Sequence, residues 1–203
     1  SGPVGCKAFL EPFLPTPRVK EANGAYAWQT PEQTMGQVRS FYGNFLVVVK
    51  ALTYILTLGK QGIPEASAGA VLHANYLMKQ LADEGYEMSY PGLCMHEFVM
   101  TLQGLAHETG ATAMDIAKGL LDFGIHPPTM YFPLIVHEAL MVEPTETESP
   151  ETLDQAAQVF QTLLQAAKSD PDSLHTAPHR CPVGRPDEVT AARHPVLRYE
   201  FEA

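Results

Sequence analysis

The chain has 203 residues, 45% of them hydrophobic and 18% charged, which is enough apolar material for a packed core and argues against global disorder. Thirteen basic residues stand against 23 acidic ones, a formal net charge of −10, and no Lys/Arg cluster is of the kind that tracks phosphates, so nucleic acid and anionic membrane surfaces are disfavoured as partners. The three cysteines, Cys6, Cys94 and Cys181, are widely spaced with no CxxC pair; they build neither a disulfide framework nor a zinc site and fit a reducing, cytoplasmic setting.

Residues 1–17 hold four prolines, too many breaks for regular structure, and are expected to lie extended against something. Asn23-Gly24 then predicts a type I′ hairpin within Val19 to Trp28, because that turn needs positive φ at both central residues. No basic stretch followed by an apolar one opens the chain, so no secretory signal is visible. The first residue is Ser1 and not Met, from which an upstream region is expected.

From Met35 to Leu58, Val38, Phe41, Phe45, Val48, Val49, Leu52, Ile55 and Leu56 recur at helical spacing, predicting a long spine helix with a wide buried face. Its most apolar part, 45–58, contains Lys50 and falls short of the roughly 20 residues that span a bilayer. Gly59 and Gly62 are expected to end this helix and Pro64 to start a second, whose stripe is Val71, Leu72, Tyr76, Leu77 and Leu81. His73, beside that stripe, reads as a hydrogen-bonded structural histidine. Tyr86 to Tyr90 and Glu97 to Leu102 read as two short strands, and Thr112 to Phe123 as an amphipathic helix closed by Gly124.

The stretch from Gly124 to Ser149, GIHPPTMYFPLIVHEALMVEPTETES, organises the C-terminal part of the chain. Pro127, Pro128 and Pro133 forbid a helix or a central strand there and predict an ordered loop. Ala139 to Glu143 is short and apolar enough for a strand, ending in the polar turn Thr145, Glu146, Thr147, Glu148. Ser149-Pro150-Glu151 then combines an N-cap, a first-position proline and a first-turn carboxylate, opening a helix to Lys168. A polar turn between strand and helix is either a plain surface connection or a place to build a site. The last 30 or so residues are expected to form an extended tail. The sum is an α+β domain of two layers.

No nucleophile elbow, phosphate loop or dinucleotide fingerprint is present. His96, His107, His126 and His137 lack the i, i+4 partner of a helical metal site, so no metal is expected. Cys94 and His96 are too little for a thiol nucleophile. His96-Glu97 suits a structural hydrogen bond at a strand start.

Several segments together carry a resemblance: GPVG and EPFLP near the start, then GQVRSFYGNF, CMHEFV, DIAKGLLDFGIHPPTMYFPLIVHEALMVEPTETES and ARHPVLRY. The chain resembles, over nearly its whole length, the C-terminal region of the glycine-cleavage P-protein family (glycine dehydrogenase, decarboxylating), and its PLIV-x-EALM wording is similar to subunit 2 of the two-subunit form. The resemblance implies the C-terminal small α+β domain, with its preceding long helix, of a fold-type I transferase dependent on pyridoxal 5'-phosphate (PLP). On that basis residues 1–34 are an extended, hairpin-bearing remnant of the cofactor-domain edge, and 35–203 the linking helix and small domain.

The implied reaction is an oxidoreductase step of the glycine cleavage system: carbon dioxide leaves glycine and the aminomethyl group passes to the lipoyl H-protein. The implied partners are P-protein subunit 1, a second heterodimer and the H-protein. The family's PLP lysine belongs to an HKTF-like motif upstream of GPVG, and Lys7 does not match it, so this chain is expected to hold no cofactor and to be inactive alone. Gly2 and Gly5 would be the tail of the loop beside the cofactor. His126, Glu143, Thr145 and Glu146 are active-site rim candidates, which either touch substrate or orient the loop and cap the helix. Two alternatives stand beside this reading: another fold-type I enzyme such as an aminotransferase, whose small domain offers an arginine, and a non-catalytic module that binds the other subunit.

Overall fold

The structure, a computed structural model, describes residues 2–40 and 42–201. Phe41, expected on the spine helix, lies outside the described residues. The chain divides into two compact units, Ser1–Ile63 and Pro64–Ala203, whereas the sequence places its division after residue 34.

In the first unit the proline-rich start contains one short 3-10 helix, Ala8–Phe13, where only extended chain was expected. Its i→i+3 bonds, such as Leu10 N–H to Lys7 O at 2.9 Å, need so few consecutive donors that Pro12 is tolerated. Residues 13–16 then run beside 34–36, with Met35 N–H on Phe13 O and Thr16 N–H on Gly36 O. The hairpin forms as predicted. Strands β1 (Arg18–Ala22) and β2 (Ala25–Gln29) are antiparallel, and Asn23 and Gly24 take φ of 55° and 77° in the turn.

Helix α1 (Phe45–Asp83) starts ten residues later than expected. It breaks at Gly59 (φ 64°, ψ −166°), a conformation glycine adopts without a Cβ clash, while Gly62 stays inside the helix. By length and composition α1 is apolar enough to cross a bilayer. The break leaves 45–58 as its apolar stretch, about 21 Å long at 1.5 Å per residue, against the ~30 Å of a hydrocarbon core. The face expected to be buried is open: Phe45 is 74% and Leu56 73% exposed. Periodicity marks a face as apolar without saying what covers it.

The second unit carries a four-stranded antiparallel sheet, ordered β3 (Glu87–Met88), β4 (Phe98–Thr101), β6 (Ala139–Val142), β5 (Thr129–Met130). Registers align Met88 with Met100, Met100 with Leu140 and Leu140 with Met130, a continuous apolar row facing the core. Against it lie Ala74, Leu77 and Leu81 of α1, Ile116 and Leu120 of α3 (Ala113–Asp122), and Leu153, Phe160 and Leu163 of α4 (Pro150–Ser169). This is the expected α+β arrangement. The second-helix stripe differs at two positions: Leu72 and Tyr76 are exposed, while Ala74, outside the stripe, is buried.

Besides the 3-10 helix, the strand β5 and three helices are absent from the sequence reading. Helix α2 (Gln103–Thr109) has no side-chain cap to announce it; α5 (Pro171–His175) and α6 (Glu188–Arg193) sit in the tail expected to be extended. The tail is fastened to α3 by two aspartates. Asp115, 3% exposed, forms a capping box with Thr112 and also accepts Arg185 Nη2 at 2.7 Å and meets His175 Nδ1 at 3.1 Å. Asp122 accepts the backbone N–H of His179 and Arg180 at 2.6 and 2.7 Å. Burial alone would raise both carboxyls; the hydrogen bonds from Thr112 and Arg185, and from Arg180 and His179, outweigh it and hold both below the usual range.

Candidate cleft between the proline loop and helix α4

A cleft of about 820 Å³ opens in the second unit. One wall is residues 123–129, leaving α3 through a Schellman turn: Ile125 N–H bonds Leu120 O, Gly124 N–H bonds Leu121 O, and Gly124 supplies φ of 75°. Pro127 and Pro128 keep the chain extended into β5, so the ordered loop expected from the prolines is this wall. A second wall is the end of β6 and its turn, from Met141 to Thr145. The third is the start of α4, where Ser149 Oγ accepts Thr152 N–H at 3.2 Å as the N-cap.

His126, Glu143 and Thr145 therefore line one cleft, as three of the four rim candidates. Glu146 does not line it. Gly2 and Gly5 are exposed members of the other unit, and a Cβ at either would meet nothing within 4 Å, so no close approach demands glycine there. The sequence reading missed Glu148, just before the cap, and Thr152, Gln155 and Val159, which line the cleft at helical spacing along the start of α4. That spacing is the available signal, since α4 itself is legible in the sequence.

Thr145 is the strained residue of the site. Its φ is 65°, a left-handed conformation that a β-branched side chain rarely adopts and that costs about 1–3 kcal/mol. Its hydroxyl pairs with Thr147 Oγ1 at 2.9 Å and accepts Thr147 N–H at 3.3 Å. Its carbonyl accepts His73 Nδ1–H from α1 at 2.9 Å, so His73 is the hydrogen-bonded structural histidine expected.

The lining carries two carboxylates, Glu143 and Glu148, and neither Lys nor Arg. Such a cleft repels anions, and its apolar floor of Leu77, Val142, Leu153 and Phe160 sheds water. At its edge, Glu143 of the lining and His96 and Glu97 beside it bring their ligating atoms within 4.8 Å of one another, though His96 and Glu143 are exposed. His96 Nε2 and Glu97 Oε2 stand 4.0 Å apart, too far for the hydrogen bond expected between them. His107 and His137 are exposed and do not line the cleft. Cys94 is no activated thiol: burial pushes its pKa up, and Asn75 grips its backbone, receiving Cys94 N–H at 3.0 Å and donating to Cys94 O at 2.8 Å.

A family model described as "Glycine dehydrogenase, C-terminal domain" matches residues 66–179, which include every residue of the cleft. The chain belongs to this family. Within it, the chain is 58% identical over 202 residues to a probable glycine dehydrogenase (decarboxylating) subunit 2 of Treponema denticola, covering 98% of this chain and 42% of that protein. A Thermotoga maritima protein of the same description is 53% identical over 199 residues, with the same two coverages. The chain thus spans less than half the length of these relatives, and their description as subunit 2 implies a companion subunit for them. A crystal structure of the glycine decarboxylase (P-protein) of the glycine cleavage system, in inhibitor-bound form, superposes with a TM-score of 0.61 at 18% identity, covering 77% of this chain and 37% of that one. At that identity the match establishes the fold of this family member, the small α+β domain with its long helix.

Proposed function

We propose that the chain is the C-terminal part of a glycine dehydrogenase (decarboxylating) subunit 2, serving the glycine cleavage system in the cytoplasm. In this reading the whole enzyme releases carbon dioxide from glycine and passes the aminomethyl group to the lipoyl H-protein. It works with subunit 1 and a second heterodimer. The observation that carries the reading is the 58% identity to a subunit 2 across 98% of the chain.

PLP is the cofactor this reading implies; when bound it accepts the electron pair left behind as carbon dioxide departs. The cleft does not fit it. No Lys lines the cleft to hold the carbonyl carbon, and no Lys or Arg to hold the phosphate, while Glu143 and Glu148 oppose both phosphate and substrate carboxylate. Anion recognition in the assembled enzyme is therefore assigned to residues outside this cleft. The same lack of an arginine weighs against the aminotransferase alternative. What this chain supplies is a wall: the apolar floor excludes water, and His126, Glu143 and Thr145 present polar groups at the rim.

The test is glycine–bicarbonate exchange by full-length subunit 2 assembled with subunit 1, with H-protein present. Exchange is expected in the wild type, with a loss of about tenfold or more in His126→Ala and Thr145→Ala if these side chains touch substrate. Wild-type assembly without exchange would overturn the proposal. Unchanged turnover with lowered thermal stability would reduce the rim residues to loop orientation and capping.

A further inference from the structure

The left-handed Thr145 is held from a distance of 72 residues in sequence. Two α1 residues one turn apart face its turn. A Cβ on Gly69 would stand 3.7 Å from Glu146 Cβ, in ordinary contact, and four residues on, His73 Nδ1 reaches Thr145 O at 2.9 Å. Positions i and i+4 share a helix face, so the backbone of 145–146 lies along one face of α1. A carbonyl only accepts, so Nδ1 carries the proton in this bond whether the imidazole is neutral or charged.

We infer that His73 is a positioning residue for the cleft: by holding the Thr145 carbonyl it keeps the turn in its left-handed state and Glu143 and Thr145 on the cleft wall, a reading that rests on the proposed function of that cleft. The bond ties the strained residue itself to the rigid surface of α1. The side chain of Thr145, by contrast, is tied locally, to the exposed Thr147 within the same turn, and that pairing moves with the turn. Once the carbonyl is released, a β-branched residue relaxes toward negative φ, and relaxation at 145 swings the preceding residues of the wall.

The role separates from plain packing by substitution. Asparagine places an amide donor near the position of Nδ1; alanine removes the donor. In the enzyme assembled from full-length subunit 2 and its companion, His73→Ala is expected to lower kcat/KM for glycine about tenfold or more, and His73→Asn to recover most of it. Hydrogen exchange by mass spectrometry on the same assemblies is expected to quicken in peptide 143–149 for H73A and not for H73N, because the turn, no longer held to α1 through the Thr145 carbonyl, opens more often. In a Thr145→Gly background the H73A effect on exchange should shrink, since glycine accepts positive φ unaided.

Equal impairment in H73A and H73N would overturn the inference, as would unchanged exchange of 143–149 in H73A. A wild-type assembly that does not turn over glycine would instead defeat the proposed function, and the exchange measurement would still decide the role of His73.

Discussion

Replacing Asp115 by alanine tests whether the tail is clamped onto α3 by a buried carboxylate. The side chain closes the capping box with Thr112, accepting its N–H at 2.8 Å, and receives Arg185 Nη2 at 2.7 Å. Losing the cap costs about 1 kcal/mol. Losing the charge-assisted bond to Arg185, whose side chain is 31% exposed and regains water, costs about 1–2 kcal/mol more. The sum of about 2–3 kcal/mol corresponds to a fall in Tm of roughly 5–10 °C for a chain of this size. Asn at this position keeps a neutral acceptor for the cap and loses the charge, so it should sit between the two. The folded carboxyl titrates below its usual value, so its stabilisation is complete above the unfolded pKa of about 3.9 and is lost as pH falls through the folded value. Urea denaturation at pH 7 and again in acid should show the gap between wild type and Asp115→Ala closing on acidification. A gap under about 0.5 kcal/mol at pH 7, the range of ordinary surface changes, would refute the clamp, as would a gap that stays constant with pH.

The core supplies two further expected outcomes. Burial pushes the Tyr86 phenol well above its ordinary value while its O–H donates to Phe160 O at 2.8 Å, so this stabilisation is complete below the unfolded pKa of about 10 and is lost as pH rises above it. Alkaline unfolding monitored by tyrosinate absorbance should therefore begin at higher pH in Tyr86→Phe, and an unchanged onset would contradict it. Leu120, fully buried in α3 beside the Schellman turn, should cost about 2–5 kcal/mol when cut to alanine, read as a shift of the urea midpoint.

Much of the site is legible in the amino-acid sequence. The proline loop, the strand ending at Val142 and the Ser149 cap are written in residues a few positions apart, and their wording draws His126, Glu143 and Thr145 to one rim. It draws Glu146 there too, but its neighbour Thr145 is the residue that lines the cleft; turning one way or the other within a tight turn depends on φ at 145, which sequence pattern does not report. Glu148, Thr152, Gln155 and Val159 escape a reading that takes the helix for its start and its core and not for the face beside its cap.

What the sequence determined by itself is the set of locally encoded events. Asn23-Gly24 makes a hairpin, Gly59 breaks a helix, Gly124 closes another and Ser149 opens a third, because each depends on dihedral freedom or a donor within four residues. The tertiary structure alone decided the strand order β3-β4-β6-β5, the reach of Arg185 and His175 back to Asp115, and the grip of His73 on Thr145. Those contacts join residues 60 to 72 positions apart, and their free energy comes from burial and charge pairing that exist only once the chain has closed on itself. The open apolar face of α1 shows the same division: its spacing is written in the sequence, and its exposure is decided by what packs beside it.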